Sequence, residues 1–190
     1  MNVYSITLFL HIAGALGLSI ALGLEWTGLW QIRSAVIREQ VLTWMEILKN
    51  VRKVGFVSMS TTVITGIYLM VTDWGGVAWI IVTIASLLLI IALSLALTGP
   101  RMAVIGRALS AEKGSKPQIF HRLANNPLLW ISIQTRVAIT LGIVFLKTTK
   151  PDLGGSLLLI GVAIVLGFVS ALPVAHREPA QEVAQRYGEE

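Results

Sequence analysis

The sequence predicts an all-α protein, an integral membrane five-helix bundle. Its 190 residues have a mean hydropathy of +0.76 and are only 13% charged, too little polar surface to cover a soluble globule. Five strongly apolar stretches recur along the chain, most of them long enough to cross about 30 Å of hydrocarbon as helices. We predict one transmembrane domain over 1–175 and a tail at 176–190, with spans at about 3–26, 54–72, 77–99, 127–146 and 154–174.

The basic residues predict the orientation of the bundle. Twelve of the fifteen lysines and arginines lie in 25–53, in 101–122 and in the tail, whereas the other two connections hold only Lys147 and Lys150. Because lysine and arginine accumulate in cytoplasmic loops, we expect the N-terminus outside and the C-terminus in the cytoplasm. The same distribution accounts for the net charge of +5. Nucleic-acid binding is not needed to explain that charge, and no basic-aromatic platform for it occurs outside the spans.

The first span is expected to remain in the mature protein. It lacks the basic start of a secretory signal, and its apolar run is longer than a signal's core. Ala13, Gly17 and Ala21 recur at four-residue spacing, so one face of this helix is smooth. Such a face predicts a close approach of another helix.

The connection between the first two spans has a helical pattern. Apolar residues recur at spacings of three and four, with charged residues between them, which predicts an amphipathic cytoplasmic helical extension. Three roles remain open for it: packing on the end of the bundle, contact with anionic lipid at the cytoplasmic face, or docking of a partner. The apolar positions are Ile37, Val41, Trp44, Leu48 and Val51.

The later elements are bounded by turn and cap signals. Gly99 and Pro100 are expected to end the third span, and Asn126 and Pro127 to cap and begin the fourth. The tail after the fifth span is rich in glutamate and poor in apolar residues. We therefore expect the tail to be solvated.

Arg136 lies near the middle of the fourth span and needs a partner. A guanidinium in the hydrocarbon costs at least about 2.5 kcal/mol, so it should face the bundle interior. With Glu25 placed at the inner end of the first span, the helical rise separates the two by about 15 Å in depth, which is too far for contact without tilt or snorkelling. Gln134, backbone carbonyls and the hydroxyls of the second span are the expected partners within the protein. Two alternatives remain for Arg136. It is purely structural, or it binds a lipid phosphate, a quinone carbonyl or a haem propionate.

His11 is a second polar residue inside a span. An imidazole there can ligate haem iron or copper, relay a proton or bond a neighbouring hydroxyl. His121 and His176 are assigned to the cytoplasmic side, so Met70 is the candidate for a second axial ligand. The candidate cofactor-binding residues are therefore His11, Met70 and Arg136, with His11 as the metal ligand and haem b or copper as the cofactors considered.

Two short motifs resemble a known group of proteins. Leu10-His11-Ile12-Ala13-Gly14-Ala15 in the first span and Thr65-Gly66-Ile67-Tyr68-Leu69 in the second are similar to the CopD-like small bacterial inner-membrane proteins. The resemblance implies copper uptake or, by a related histidine-bearing protein, haem-dependent porphyrinogen oxidation, with His11 as the residue to test. The third span departs from that pattern, because it lacks the lysine that the porphyrinogen oxidases use, and methionine-rich copper clusters are absent from the sequence.

Three functions remain open from the sequence. The absence of a phosphate loop and of a His-Glu-x-x-His motif favours a non-catalytic membrane or accessory subunit that binds lipid or a small hydrophobic ligand. The alternatives are a haem- or copper-handling protein and a small transporter. We expect a multi-pass protein of a prokaryotic cytoplasmic membrane, in contact with the lipid bilayer and able to form a homo-oligomer or join a larger membrane complex.

Overall fold

The computed structural model describes residues 2–111 and 123–175, and nearly all of these residues are helical. Five helical segments are long and apolar enough to cross a membrane, which confirms the predicted number of spans for this part of the chain. Two π-helical segments, Met70–Trp74 and Ser94–Thr98, interrupt the regular helices. The α-helices are α1 (Val3–Ser34), α2 (Arg38–Leu69), α3 (Ala78–Leu93), α4 (Gly99–Ala111), α5 (Pro127–Thr149) and α6 (Leu153–Ala175).

The first helices are longer than the predicted spans. α1 has 32 residues, or about 48 Å at 1.5 Å per residue, so it exceeds the hydrocarbon thickness of about 30 Å. The predicted extension between the first two spans is helical, but it is continuous with α2 rather than separate. A helix does not have to end where its sequence turns polar, because an amphipathic face can continue the packing.

The helix that contains the predicted third span, 77–99, continues beyond it. The π-helical segment Ser94–Thr98 joins α3 to α4, and Pro100, the second residue of α4, has no N–H to donate to a carbonyl oxygen of that segment. The guanidinium of Arg101 donates to the carbonyl oxygen of Leu97 at 2.6 Å and to that of Ala96 at 3.5 Å. These carbonyl groups, which the proline and the widened turn leave without a backbone N–H partner, thereby accept hydrogen bonds from Arg101.

α5 is the central helix of the bundle. α1 pairs with α2 and α5 with α6 as antiparallel neighbours, and α5 also contacts α1 and α3. Half of its span is buried, against 22–33% for the others. The predicted smooth face of α1 does lie against α2, but Gly14 is buried in the contact and Ala13 is exposed. A Cβ on Gly14 would lie 2.6 Å from Thr62 Oγ1, so this close approach requires a glycine.

Two apolar cores stack along the bundle. The first core extends from the end of the bundle where α1 begins to its middle, and it includes Leu18, Ile90 and Ile139. The other lies at the opposite end, where α4 and the extensions of α1 and α2 pack around Trp130, whose indole N–H donates to the carbonyl oxygen of Ala124 at 2.9 Å. The parts of α1 and α2 that lie outside the predicted spans therefore pack in a core of their own. The predicted tail 176–190, with His176, and also His121 lie outside the described residues.

Candidate functional site

Arg136 and Glu25 form a buried ion pair between α5 and α1. Arg136 Nη1 donates to Glu25 Oε2 at 2.9 Å, and the two side chains are only 3% and 10% exposed. The expectation that Glu25 is too distant was wrong, because α1 continues to Ser34 and Glu25 does not mark its end. Near the N-terminal end His11 on α1 contacts Lys147 on α5. By helical rise, Glu25 lies about 21 Å from His11 along α1, and Arg136 lies about 17 Å from Lys147 along α5. The two long side chains bridge the small difference in depth.

The other two guanidinium nitrogens of Arg136 also donate hydrogen bonds. Arg136 Nη2 donates to Thr98 Oγ1 at 3.1 Å, and Nε donates to the Ser132 carbonyl oxygen at 3.3 Å. Thr98 and Ser132 share a hydrogen bond of 2.9 Å between their hydroxyls, and Ser132 Oγ donates to the Leu93 carbonyl oxygen at 3.2 Å. These additional hydrogen bonds help to compensate the desolvation of a buried charge pair.

The π-helical segment Ser94–Thr98 supplies part of this network. Its widened turn presents Thr98 to Arg136 and leaves the Leu93 carbonyl to Ser132. Such π-bulges are frequent at functional sites. Backbone carbonyls were expected as partners, and that of Ser132 is one, but the span-two hydroxyls are not, Glu25 was rejected and Thr98 was missed. The one usable signal was that Ser132 lies four residues before Arg136 and hence on the same helix face.

An apolar groove begins at the ion pair. It has a volume of about 460 Å³ and lies between α1, α2 and α3, with Glu25 and Arg136 in its wall and the exposed Arg52 also lining it. Gln134, an expected partner of Arg136, lines depressions beside α6 and beside α1 instead. Most of the groove is apolar, with lining residues such as Leu18, Leu22, Phe56, Met59, Ile90 and Leu95.

His11 is held by both ring nitrogens. Nδ1 lies 3.0 Å from the Thr62 carbonyl oxygen and 3.1 Å from Thr65 Oγ1. A carbonyl oxygen can only accept, so Nδ1 carries the proton and Nε2 is the acceptor. Nε2 lies 2.7 Å from Lys147 Nζ, which donates to it. A metal ion at Nε2 would therefore have to displace Lys147.

The three predicted cofactor residues do not meet in one place. His11 and Met70 line a cavity of about 230 Å³ near the N-terminal end, whereas Arg136 lines the groove deeper in the bundle. In the ranges 2–111 and 123–175 no three histidine, cysteine or acidic residues come together as a metal-binding group. Haem or copper binding by His11 stays a prediction.

The comparisons with known proteins add no family to this geometry. Searches of protein-family models, curated proteins and solved structures found no match to this chain. The CopD-like resemblance, based on His11 and its neighbours, stays a prediction too. The candidate sites are therefore the Glu25–Arg136 pair and the His11–Lys147 contact, each with a cavity beside it.

Replacing Thr98 by valine tests the hydrogen-bond network. Thr98→Val keeps the shape of the side chain but removes a partner from both Arg136 and Ser132, so the free energy of unfolding should fall by about 1–3 kcal/mol. Unfolding in mixed micelles, followed by circular dichroism, measures this. Thr27→Val is the matched control, because the Thr27 hydroxyl is exposed and bonds only to the Gly23 carbonyl of its own helix. Equal losses in the two variants would contradict the network.

Proposed function

We propose that this is a multi-pass membrane protein that binds an anionic phospholipid in the groove between α1, α2 and α3. One acyl chain lies along the apolar wall, and the phosphate lies near Arg52 and the Glu25–Arg136 pair. The observation that carries the proposal is the buried ion pair in the wall of an otherwise apolar groove. The protein acts as a non-catalytic membrane or accessory subunit.

The size and lining of the groove support an acyl chain. Its volume of about 460 Å³ lies within the range of about 300–1,000 Å³ that is typical of ligand sites. Phe56 on α2 and Leu95 in the π-helical segment after α3 line it and are 74% and 71% exposed, so the hydrocarbon of a bilayer would reach the groove from the side. A lipid chain can then enter without passing through water.

The charges at the polar end support an anionic head group. Glu25 and Arg136 neutralise one another, so the exposed Arg52 leaves one positive charge among the three groups that line the groove. Arg52 also stands two residues before the predicted apolar span 54–72, at the depth of lipid head groups. The attraction between one cation at that depth and anionic lipid contributes about 1 kcal/mol to binding.

The proposal includes the orientation and the location of the bundle. In the described residues, the end opposite the N-terminus carries Arg33, Arg38, Lys49 and Arg101, whereas the N-terminal end carries Lys147 and Lys150. This imbalance supports an extracytoplasmic N-terminus and an α4 end in the cytoplasm of a prokaryotic cell. The bound lipid would then come from the cytoplasmic leaflet.

Filling the groove should release the lipid. Ser60→Phe places a ring in the groove, whereas the control Val57→Phe adds the same bulk to an exposed position of α2 outside the groove lining. Native mass spectrometry of protein in nanodiscs with phosphatidylglycerol should show about a tenfold lower apparent affinity for Ser60→Phe, equivalent to about 1.4 kcal/mol.

Two further variants test the head-group contact. Arg52→Gln should reduce the preference for phosphatidylglycerol over phosphatidylcholine, while Lys53→Gln, the neighbouring exposed cation that does not line the groove, should not. Undiminished lipid binding by Ser60→Phe, or an unchanged preference in Arg52→Gln, would reject the site.

The orientation can be measured in cells because the chain contains no cysteine. Gly76→Cys lies in the connection before α3, where a Cβ meets no other atom within 4 Å, and Val36→Cys lies in the connection before α2. A membrane-impermeant maleimide should label Gly76→Cys in intact cells and Val36→Cys only after the membrane is disrupted. The reverse pattern would show that the bundle is inverted.

A further inference from the structure

A second cavity lies near the N-terminal end of the bundle. It has a volume of about 230 Å³ and is formed by α1, α2, α3, α5 and Lys150. His11 and Lys147 are in its wall, about 21 Å of helical rise from the Glu25–Arg136 pair along α1. This cavity is distinct from the proposed lipid groove, and among the described residues Val63 is the one that lines both.

Lys147 places a positive charge in this cavity. Its ammonium donates to the neutral ring of His11, which accepts a proton but offers no negative charge. Within the described parts of the chain, no carboxylate lies at ion-pair distance from Lys147. The acids of the adjacent connections make other bonds, Asp73 with the Thr72 hydroxyl and Asp152 with the Gly155 amide. An anion in the cavity would offset the cost of partly burying this charge.

The available donors favour a carboxylate. An ammonium group has three N–H bonds, and His11 takes one of them, which leaves two. Thr62 and Thr83 also line the cavity, but their hydroxyls donate to carbonyl oxygens of their own helices, each at 2.8 Å. An ammonium binds an anion as a point charge, and the single negative charge of a carboxylate balances the single positive charge of Lys147.

The remaining walls favour an apolar body on that carboxylate. Leu8, Leu69, Met70 and Ile80 line the cavity with aliphatic or thioether surface. Its volume corresponds to about seven or eight water-sized groups of about 30 Å³ each. A short hydrocarbon chain of this size fills the space, and its burial adds to the ion pair.

We infer that this cavity binds an aliphatic carboxylate, with the carboxylate on Lys147 and the first carbons of the chain among the apolar residues. His11 is a positioning residue: its Nδ1–H bond to Thr62 fixes the ring, and Nε2 then holds the ammonium in the cavity. The carboxylate reaches the site either from water, as a free short-chain acid, or from the bilayer, as the head of a fatty acid.

Carboxyl-¹³C NMR of octanoate with the protein in nanodiscs of zwitterionic lipid tests this site. The wild-type protein should shift and broaden the carboxyl signal saturably, while Lys147→Gln should weaken the apparent affinity at least about tenfold. Lys49→Gln is the matched control, because Lys49 is an exposed cation on α2. Octanamide, which has the same chain without the charge, should compete poorly.

A second variant keeps the test decisive if Lys147→Gln does not fold. Ile84→Trp fills the cavity without removing the ammonium, so it should also weaken octanoate binding. Ser60→Phe in the lipid groove should leave octanoate binding unchanged, which separates this inference from the proposed function.

The length of the acid identifies its source. Saturable binding of octanoate supports a water-soluble ligand, whereas saturable binding of ¹³C-palmitate that excludes octanoate supports a membrane fatty acid, provided Lys147→Gln weakens either one. The inference is overturned if neither acid binds the wild-type protein saturably, or if Lys147→Gln and Ile84→Trp bind as well as Lys49→Gln.

Discussion

The need to satisfy one guanidinium inside the bundle shapes the centre of this structure. Arg136 cannot face hydrocarbon without a large desolvation penalty, so it points inward from α5, where Glu25, Thr98 and Ser132 bond it. Each partner fixes a neighbouring element: Glu25 fixes the height of α1, and Thr98 fixes the π-helical turn after α3. The central position of α5 follows from these contacts as much as from its apolar residues.

The same arrangement accounts for the position of the two cavities. α1 and α3 both approach α5 at the ion pair, which leaves a groove on the side where α2 stands away from α3. Toward the N-terminal end, the contact of His11 with Lys147 joins α1 to α5 a second time and encloses the smaller cavity. Two polar contacts between one pair of helices thus place two cavities at different depths, one beside the Glu25–Arg136 pair and Arg52, the other beside Lys147.

The number of spans could be predicted from the sequence, because the hydrocarbon thickness sets a minimum length for each apolar stretch, but the full lengths of α1 and α2 could not. The cap at Asn126, whose side chain accepts from the Leu128 amide at 3.0 Å, also follows the local sequence signal. The partner of Arg136 could not be predicted, since its depth depends on where α1 ends and on how α1 is displaced along α5. Lys147 was assigned to a loop by its charge, although it lies in the last turn of α5 beside His11.

The most direct test of this account is a double-mutant cycle on Glu25 and Arg136, measured as the free energy of unfolding in mixed micelles. Glu25→Gln and Arg136→Gln should each destabilise the protein by about 3–5 kcal/mol, because each leaves a buried partner uncompensated. The double variant should lose clearly less than the two single losses combined, with a coupling energy of about 1–3 kcal/mol. Losses that add to within about 0.5 kcal/mol would show that the two side chains act independently, and would contradict the ion pair as the organising contact.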